Sequence, residues 1–156
     1  MTSAKAAAGL LIVVLLLTVA CGASDGLSTI EIEARDGSTA RLRVEIAATQ
    51  AERTRGLANR DALAPDRGML FLISERGPGF WNKDVAFPLS VAFVSRCGVI
   101  VDIQHMAAGS LTVHDTPGPF RFGLEVNQGW FERNSIGVGS RLQLPLAMLR
   151  EAACPE

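Results

Sequence analysis

Apolar and charged residues alternate along two stretches near the start of the chain, residues 28–34 and 41–47. This period of two is typical of a strand with one buried face. Between the two stretches stands Asp36-Gly37, a dipeptide that favours the tight turn of a β-hairpin. The pattern therefore predicts an antiparallel hairpin in which glutamates of the first strand face arginines of the second, each pair contributing roughly a few tenths of a kcal/mol.

The pattern changes after the hairpin. Thr49 and Glu52 have the spacing of a capping box, which predicts a short helix that ends near Gly56. Residues 69–73 form an apolar run of strand length. Residues 89–95 are apolar on both faces, which indicates a central strand of the sheet.

The second half of the chain predicts a partner for this central strand and several short elements. Residues 99–105 follow a turn at 96–98 and would complete a hairpin. Residues 120–127 alternate again, so we expect Arg121 and Glu125 on the polar face of a strand. The apolar face of that strand would carry Phe120, Phe122, Leu124 and Val126. The remaining predicted elements are an extended segment at 111–116, a helical turn at 131–135 and a last strand at 141–146.

Together these elements define the fold class. They amount to seven to nine short strands, with turns every 8 to 12 residues and two short helices. Many short strands at regular spacing are typical of sandwiches and barrels. We therefore predict a mainly β protein, a compact antiparallel barrel or jelly-roll-like sandwich with one or two short helices.

The first residues have the pattern of a targeting segment. Lys5 precedes an apolar stretch at 6–20, which is shorter than the roughly 20 residues of a membrane-spanning helix. Small residues then surround Cys21, as in a bacterial lipobox, in which the cysteine becomes the lipid-modified N-terminus after cleavage. We expect a lipoprotein signal peptide at 1–20 and a flexible linker at 21–27. A plain signal peptide or an uncleaved anchor is the alternative.

Domain boundaries and charge follow from this assignment. The β domain would occupy residues 28–147, and a C-terminal tail residues 148–156. Removal of Lys5 with the signal leaves 14 basic and 16 acidic residues, which is not the basic footprint of a nucleic-acid-binding protein. We expect a monomer that binds no nucleic acid and is held to a membrane of the cell envelope, outside the cytoplasm, by the lipid on Cys21.

The chain has three cysteines. If Cys21 carries the lipid, Cys97 and Cys154 remain, and an oxidising compartment makes a disulfide between them plausible. That bridge would close a loop of 58 residues and join the tail to the turn at 96–98. Two free thiols are the alternative.

Several short motifs follow one another in a single order and spacing. They are Arg55-Gly56-Leu57, Arg60, Gly68-Met69-Leu70-Phe71, Phe80-Trp81 with Lys83, Pro88-Leu89, Leu124-Glu125 and Gly129-Trp130. Together they resemble the uncharacterised prokaryotic family called domain of unknown function 192 (DUF192), over about 30–146 of the chain. The resemblance implies a compact, mostly β fold of jelly-roll or barrel type, often exported behind a signal or lipid anchor, and no established reaction.

The chain departs from the family pattern just after the aromatic pair. Asn82 stands in place of a methionine, Asp84 of an asparagine, Val85 of a threonine and Ser90 of an aspartate. The aromatic pair itself and Lys83 are kept. If the replaced polar side chains form part of a site in the family, that site is altered here.

Seven residues are candidates for a ligand site. They are Arg55, Arg60, Trp81, Lys83, Asp84, Glu125 and Trp130. Arginine binds carboxylate or phosphate through two parallel hydrogen bonds, and tryptophan offers a flat apolar face that stacks on ring-like groups such as sugars. The structural alternative is an ion pair between Arg55 and Glu125, with the two tryptophans filling the ends of a barrel.

Metal binding and nucleophilic catalysis have weaker support. The histidines and neighbouring carboxylates are Asp102, His105, His114 and Asp115. Residues three apart on a strand point to opposite faces, so Asp102 and His105 do not converge locally. The chain has no paired-cysteine or paired-histidine motif and no nucleophile elbow around a serine. We therefore predict no metal site, no cofactor and no assigned catalytic residue.

The sequence thus favours a binding or accessory module for a small polar or envelope-derived ligand. One alternative is an envelope saccharide hydrolase or lyase, with Glu125 and Lys83 in acid–base roles. Another is a structural or partner-binding lipoprotein with an exposed apolar surface. A ligand site predicts that Arg55, Arg60, Lys83 and Glu125 line one pocket beside Trp81.

Overall fold

The computed structural model of the protein describes residues 26–73 and 79–144. Seven strands and two short helices occur in these ranges. The strands are β1 (Ser28–Glu33), β2 (Thr39–Ala47), β3 (Arg67–Leu72), β4 (Leu89–Val94), β5 (Ile100–Met106), β6 (Phe122–Asn127) and β7 (Arg141–Gln143). The helices are α1 (Gln50–Arg55), between β2 and β3, and α2 (Trp130–Arg133), between β6 and β7.

All seven strands belong to one sheet, in the order β5-β4-β6-β3-β2-β1-β7. Neighbouring strands run antiparallel except β2 and β3, which are parallel. Parallel neighbours need a crossover between the end of one strand and the start of the next. Residues 48–66, which include α1, supply that crossover and cover part of one face of the sheet.

The sheet curls into a half-barrel, and its two edges approach each other at one point. Val99, just before β5, forms an isolated antiparallel bridge with Arg141 at the start of β7. The Leu142 amide also donates to the Gly98 carbonyl at 2.8 Å. This architecture confirms the prediction of a mainly β, barrel-like fold with two short helices.

The first hairpin forms as the alternation predicts. β1 and β2 pair antiparallel, and Glu31 lies directly opposite Arg41. The Arg41 Nε donates to Glu31 Oε1 at 2.8 Å. Both side chains are exposed, so the pair contributes no more than about 1 kcal/mol.

The capping box of α1 is also confirmed. The Glu52 amide donates to Thr49 Oγ1 at 3.2 Å, and the Thr49 amide donates back to Glu52 Oε2 at 2.8 Å. The helix ends at Gly56, whose φ of 48° is positive. A glycine adopts this backbone conformation more readily than other residues.

Apolar side chains form two clusters on opposite faces of the sheet. The inner cluster draws on all seven strands and lies within the curl, and Trp130 and Phe131 of α2 belong to it. The outer cluster lies on the other face, beneath the loops. Its buried members are Ala47, Leu57, Met69, Phe71, Phe80, Val85, Leu89, Val91, Phe93, Met106 and Phe120.

Strand β6 corrects one prediction. Both of its faces are buried, whereas the alternation predicted a polar, exposed face for Glu125. Loops cover the outer face, so Glu125 is only 5% exposed. Phe120 also differs from the prediction, because it lies before the strand and packs in the outer cluster, 5.1 Å from the Phe93 ring.

An aromatic contact holds the segment around Phe80 against the outer face. The Phe80 ring packs edge-on against Phe71 and Phe93, with centroids 5.2 and 5.6 Å away. Gly123 of β6 lies beneath it, and a Cβ at that position would be 2.1 Å from the Phe80 Cζ. The ring therefore occupies space that only a glycine leaves open.

Several terminal predictions lie outside the described residues. They concern the signal peptide at 1–20, most of the linker at 21–27, the tail at 148–156 and the last residues of the predicted final strand. Cys97 takes part in a disulfide, but Cys21 and Cys154 fall outside the described ranges, so the predicted pairing stays a prediction.

No helix in the described part of the chain is both long and apolar enough to span a membrane.

A charged cleft beside a buried glutamate

A row of four side chains crosses the outer face of the sheet. Glu45 of β2 is paired with Met69 of β3, Met69 with Glu125 of β6, and Glu125 with Val91 of β4. Side chains directly opposite each other on neighbouring strands share one face and come into contact range. Met69 therefore stands between the two glutamates.

Glu125 lies in an apolar part of this row. None of the described residues hydrogen-bonds to its carboxyl group, and its strand neighbours on this face are Met69 and Val91. Burial removes water from the carboxylate and raises the pKa of Glu125 from its ordinary value of 4.5 to about 8. At neutral pH the side chain is mainly a neutral acid, which can donate a hydrogen bond.

A cleft of about 400 Å³ opens on the other side of Met69. Its lining residues are Gly26, Glu45, Ile46, Ala47, Glu52, Arg55, Arg60 and Met69. This volume is within the range of small-molecule sites. Four of the lining side chains are charged, two of each sign.

Arg60 and Glu45 form a paired wall of the cleft. The two guanidinium nitrogens of Arg60 donate to the two carboxylate oxygens of Glu45 at 2.5 and 2.8 Å. This hydrogen bonding lowers the pKa of Glu45 and raises the pKa of Arg60. Both groups are therefore charged at neutral pH, and the pair fixes the orientation of the guanidinium plane.

Arg55 and Glu52 both lie on α1, but they differ in the hydrogen bonds that they make with the described residues. The Glu52 carboxylate accepts hydrogen bonds from the amides of Ala48 and Thr49, and the bond from Thr49 is the main cause of its lowered pKa. The Arg55 guanidinium is exposed and makes no hydrogen bond with the described part of the chain. Its N–H groups are therefore available to donate hydrogen bonds to a ligand in the cleft.

Comparison with known proteins places the chain in a family. The sequence profile of DUF192, described as "Uncharacterized ACR", matches residues 31–144. The chain belongs to the DUF192 family. Among functionally curated proteins, none matches the sequence.

Two solved structures are similar to this DUF192 protein. One is a Sinorhizobium meliloti protein described as a candidate transcription regulator, with a TM-score of 0.70 and 32% sequence identity, covering 74% of this chain and 91% of the other. The second is a protein of unknown function from Novosphingobium aromaticivorans, with a TM-score of 0.70 and 27% identity, covering 76% of this chain and 85% of the other. These likenesses support the fold assignment.

The fold of the DUF192 protein divides the predicted site residues among several places. Arg55 and Arg60 line the cleft together, and Glu125 lies behind Met69. Trp81 is 51% exposed, with the Lys83 Nζ 5.6 Å from its ring centroid, and neither residue lines the cleft.

Asp84 and Trp130 occupy two further positions. The Asp84 carbonyl accepts a hydrogen bond from the Asn59 amide at 2.7 Å, which joins the segment that carries Trp81 to the loop that carries Arg60. Trp130 is buried in the inner cluster, on the opposite face of the sheet from the cleft.

Two of the four positions that depart from the family pattern, Asn82 and Asp84, have structural roles in this chain. Asn82 is fully buried, and its Nδ2 donates to the carbonyls of Phe87 and Ala107, each at 3.0 Å. Asp84 has a positive φ of 58°, a conformation that asparagine and aspartate adopt more readily than most residues. The exchange of asparagine for aspartate therefore preserves the local backbone.

The sequence does not identify the other lining residues of the cleft, among them Glu45, Glu52 and Met69. The alternation places Glu45 on the exposed face of a hairpin, the spacing from Thr49 assigns Glu52 to a capping box, and Met69 begins an apolar run of strand length. A signal for Glu45 was present, because it lies on the same face as Arg43 at the end of a strand. Its pairing with Arg60 depends on the crossover loop and could not be inferred from spacing.

Within the described ranges, no group of three or more potential ligands is arranged to hold a metal ion. The two histidines make hydrogen bonds to neighbouring side chains instead. His105 Nδ1 lies 2.8 Å from Ser90 Oγ, and His114 Nδ1 lies 3.0 Å from Gln104 Oε1. These contacts join adjacent strands and loops.

Proposed function

We propose that this DUF192 protein is a lipid-anchored, extracytoplasmic binding module whose cleft takes a small polar ligand bearing a carboxylate or phosphate group. The observation that carries the proposal is the Arg55 guanidinium. It is exposed at the cleft, makes no hydrogen bond with the described residues, and is close enough to Glu45 and Glu52 to stabilise their charges. A planar, permanently charged fork of this kind recognises an oxyanion through two parallel hydrogen bonds.

The other charges of the cleft restrict the class of ligand. Glu45 is paired with Arg60, and Glu52 accepts backbone hydrogen bonds, so neither carboxylate attracts a second cation strongly. A multiply charged anion would be repelled by both. A ligand with one acidic group and several hydroxyl groups, such as an acidic sugar, matches this arrangement best.

The extracytoplasmic location rests on the sequence around Cys21. Small residues flank the cysteine, an apolar stretch precedes it and a flexible polar segment follows. Mass spectrometry of the N-terminal peptide from protein purified from membranes tests this part. A diacylglycerol-sized mass increment on Cys21 is expected, and an unmodified Cys21 contradicts the anchor.

The enzyme alternative has less support. It requires Glu125 and Lys83 to act on a common reacting atom. Lys83 lies over the exposed Trp81 ring, whereas Glu125 is buried in the sheet. No contact between the two groups occurs in the described part of the chain, so the geometry does not favour this pair as an acid and a base.

A role in transcription, as in the description of the Sinorhizobium meliloti protein, also has no specific support here. Helices that read DNA lie along the major groove. The described helices have six and four residues. The whole chain carries a formal net charge of −1, which gives no general attraction to phosphates.

Ligand binding can be tested by thermal shift. The purified protein is screened against glucuronate, succinate and inorganic phosphate, with glucose as the uncharged control. Binding to the native state raises the melting temperature in a concentration-dependent manner. We expect the largest shift with glucuronate, and loss of most of that shift in Arg55→Ala.

Arg96→Ala is the matched control for this test. Arg96 is an exposed arginine in the turn between β4 and β5 and does not line the cleft. Its substitution is expected to leave the glucuronate shift unchanged. Equal losses in the two variants would show that the shift comes from general charge and would contradict the cleft as the binding site.

A further inference from the structure

Three exposed apolar side chains lie on two segments that are joined by backbone hydrogen bonds. Trp81, Leu111 and Val113 are 51%, 66% and 55% exposed, and we call them the Trp81 patch. Isolated exposed apolar residues are common. A tryptophan accompanied by two large aliphatic side chains is a feature of surfaces that contact another apolar phase.

Backbone pairing explains why these side chains share one surface. Phe80 and His114 form an isolated antiparallel bridge, with hydrogen bonds of 2.8 and 2.7 Å in the two directions. In an antiparallel pair, the next residues along the two strands, Trp81 and Val113, lie opposite each other and point to the other face. Phe80 points into the outer cluster, so Trp81 and Val113 point outward.

The two segments of the patch are held closely together. Gly79 lies so near the opposing strand that a Cβ there would be 2.5 Å from the His114 carbonyl oxygen and 2.9 Å from Val113 Cγ1. The backbone amide of Asn82 donates to the Ser110 carbonyl at 3.2 Å. The patch is therefore a fixed surface on two paired segments.

The cation Lys83 accompanies the patch. The Lys83 Nζ lies 5.6 Å from the centroid of the Trp81 ring. Lys83 and Lys5 are the only lysines of the chain. An amphipathic ring with an adjacent cation is the combination that settles at the headgroup level of a bilayer, where the ring contacts acyl chains and the cation meets anionic headgroups.

We propose that the Trp81 patch docks on the surface of the membrane that anchors the protein, with Trp81 at the headgroup–acyl boundary and Lys83 against anionic headgroups. This inference rests on the lipid anchor of the proposed function. In this proposal the partner of the patch is a phospholipid bilayer, and the side of the domain that carries the patch faces the bilayer.

The length of the segment between Cys21 and Gly26 supports a bilayer as the partner of the patch. Five residues after Cys21 the chain reaches Gly26, which lines the charged cleft, and five extended residues span at most about 18 Å. Arg60 lines the same cleft, and its neighbour Asn59 donates to the Asp84 carbonyl at the base of the patch segment. A backbone hydrogen bond thus links the loop that carries Arg60 to the patch segment, and a lipid on Cys21 would hold the Gly26 end of the same cleft near the bilayer.

Tryptophan fluorescence tests the proposal, because the chain has only two tryptophans. Trp81 is exposed, and Trp130 is 4% exposed in the inner cluster. The full-length protein, purified from membranes, is reconstituted into phosphatidylcholine vesicles containing phosphatidylglycerol, with and without brominated acyl chains. The difference between wild type and Trp81→Phe isolates the Trp81 emission without altering Trp130.

We expect bromine to roughly halve the Trp81 emission, because an interfacial side chain reaches the acyl boundary, and to leave the emission of Trp81→Phe unchanged. Lys83→Gln should reduce the quenching in vesicles with phosphatidylglycerol to the value in pure phosphatidylcholine. A double variant, Leu111→Ser with Val113→Ser, should reduce the quenching in both kinds of vesicle. Val138→Ser is the matched control, since Val138 is 54% exposed but lies in the turn before β7, outside the patch.

Two outcomes overturn the proposal. One is unquenched Trp81 in a protein whose Cys21 is shown by mass spectrometry to carry lipid, which leaves the anchor intact and rejects the patch. The other is self-association by analytical ultracentrifugation that Trp81→Ser abolishes, which makes the patch an interface between copies. An unmodified Cys21 with strong quenching on added vesicles supports the patch and rejects the anchor.

Discussion

Glu125 is buried in an apolar environment, whereas most glutamates are exposed to water. It is buried on β6 between Met69 and Val91, and no described residue stabilises its charged form. Desolvation therefore keeps the proton on the carboxyl group up to a pKa of about 8. In the unfolded chain the same group ionises near 4.5.

This difference makes the stability of the protein depend on pH. Between pH 4.5 and about 8 the native state retains a proton that the unfolded state loses. The contribution of Glu125 is therefore most favourable below pH 4.5 and decreases as pH rises, by up to about 1.4 kcal/mol per pH unit, until it levels off above the native pKa.

Glu125→Gln tests this dependence because glutamine is uncharged and similar in size. We expect the variant to match wild type near pH 5 and to exceed its free energy of unfolding by a few kcal/mol at pH 8, as measured by urea denaturation. Asp61→Asn, at an exposed position, controls for the loss of a surface carboxylate. A stability difference that is the same at both pH values would contradict the buried, protonated state.

Asn82 provides a second test at the scale of one side chain. Its Nδ2 donates to the carbonyls of Phe87 and Ala107 and lies 3.4 Å from that of Met106. Asn82→Ala removes the donor of these hydrogen bonds, although the Ala107 carbonyl still accepts from the Ser110 amide, and we expect a loss of about 1–3 kcal/mol. Asn82→Asp should lose more at pH 7, because a buried carboxylate would face carbonyl oxygens, and urea denaturation of both variants measures the difference. Equal losses would show that Nδ2 does not make these bonds.

Among the elements, α1 positions Arg55 and depends on its cap. The helix has only six residues, too few to be stable without specific terminal contacts. Thr49→Ala removes the side-chain acceptor, and we expect a loss of about 1 kcal/mol in the free energy of unfolding. Thr54→Ala in the same helix should be neutral or slightly stabilising, since alanine has the higher helix propensity. Chemical denaturation that finds equal losses in both variants would reject the capping role.

The contact between the Phe80 segment and β6 can be tested with a single methyl group. Gly123→Ala places a Cβ 2.1 Å from the Phe80 ring, so the ring and its segment must move. We expect a loss of about 1–3 kcal/mol and a change in near-ultraviolet circular dichroism from the displaced aromatics. Gly118→Ala is the control, because a Cβ there meets nothing within 4 Å. If Gly123→Ala changed neither the stability nor the circular dichroism, the Phe80 ring would not pack against β6.

Across the whole molecule, local patterns predicted the elements that depend on local contacts. The β1–β2 hairpin follows from alternation and the Asp36-Gly37 turn, and α1 follows from its capping box. The parallel pairing of β2 with β3 depends on how residues 48–66 cross the sheet. No local pattern encodes that path, so it could not be predicted.

The site was less predictable for the same reason. Arg55 and Arg60 lie near each other in sequence and were identified together. Glu125 was expected on an exposed face because its strand alternates, and its burial depends on loops that pack from distant parts of the chain. Glu45 acquires its role only through the ion pair with Arg60.

We propose that the charged cleft binds an acidic ligand through Arg55. The most direct measurement is a nuclear magnetic resonance titration that follows the arginine Nε–Hε signals while glucuronate is added. We expect saturable shifts for Arg55 and Arg60, with Arg96 unchanged. Signals that do not move, or that move alike and without saturation for all three arginines, would contradict it.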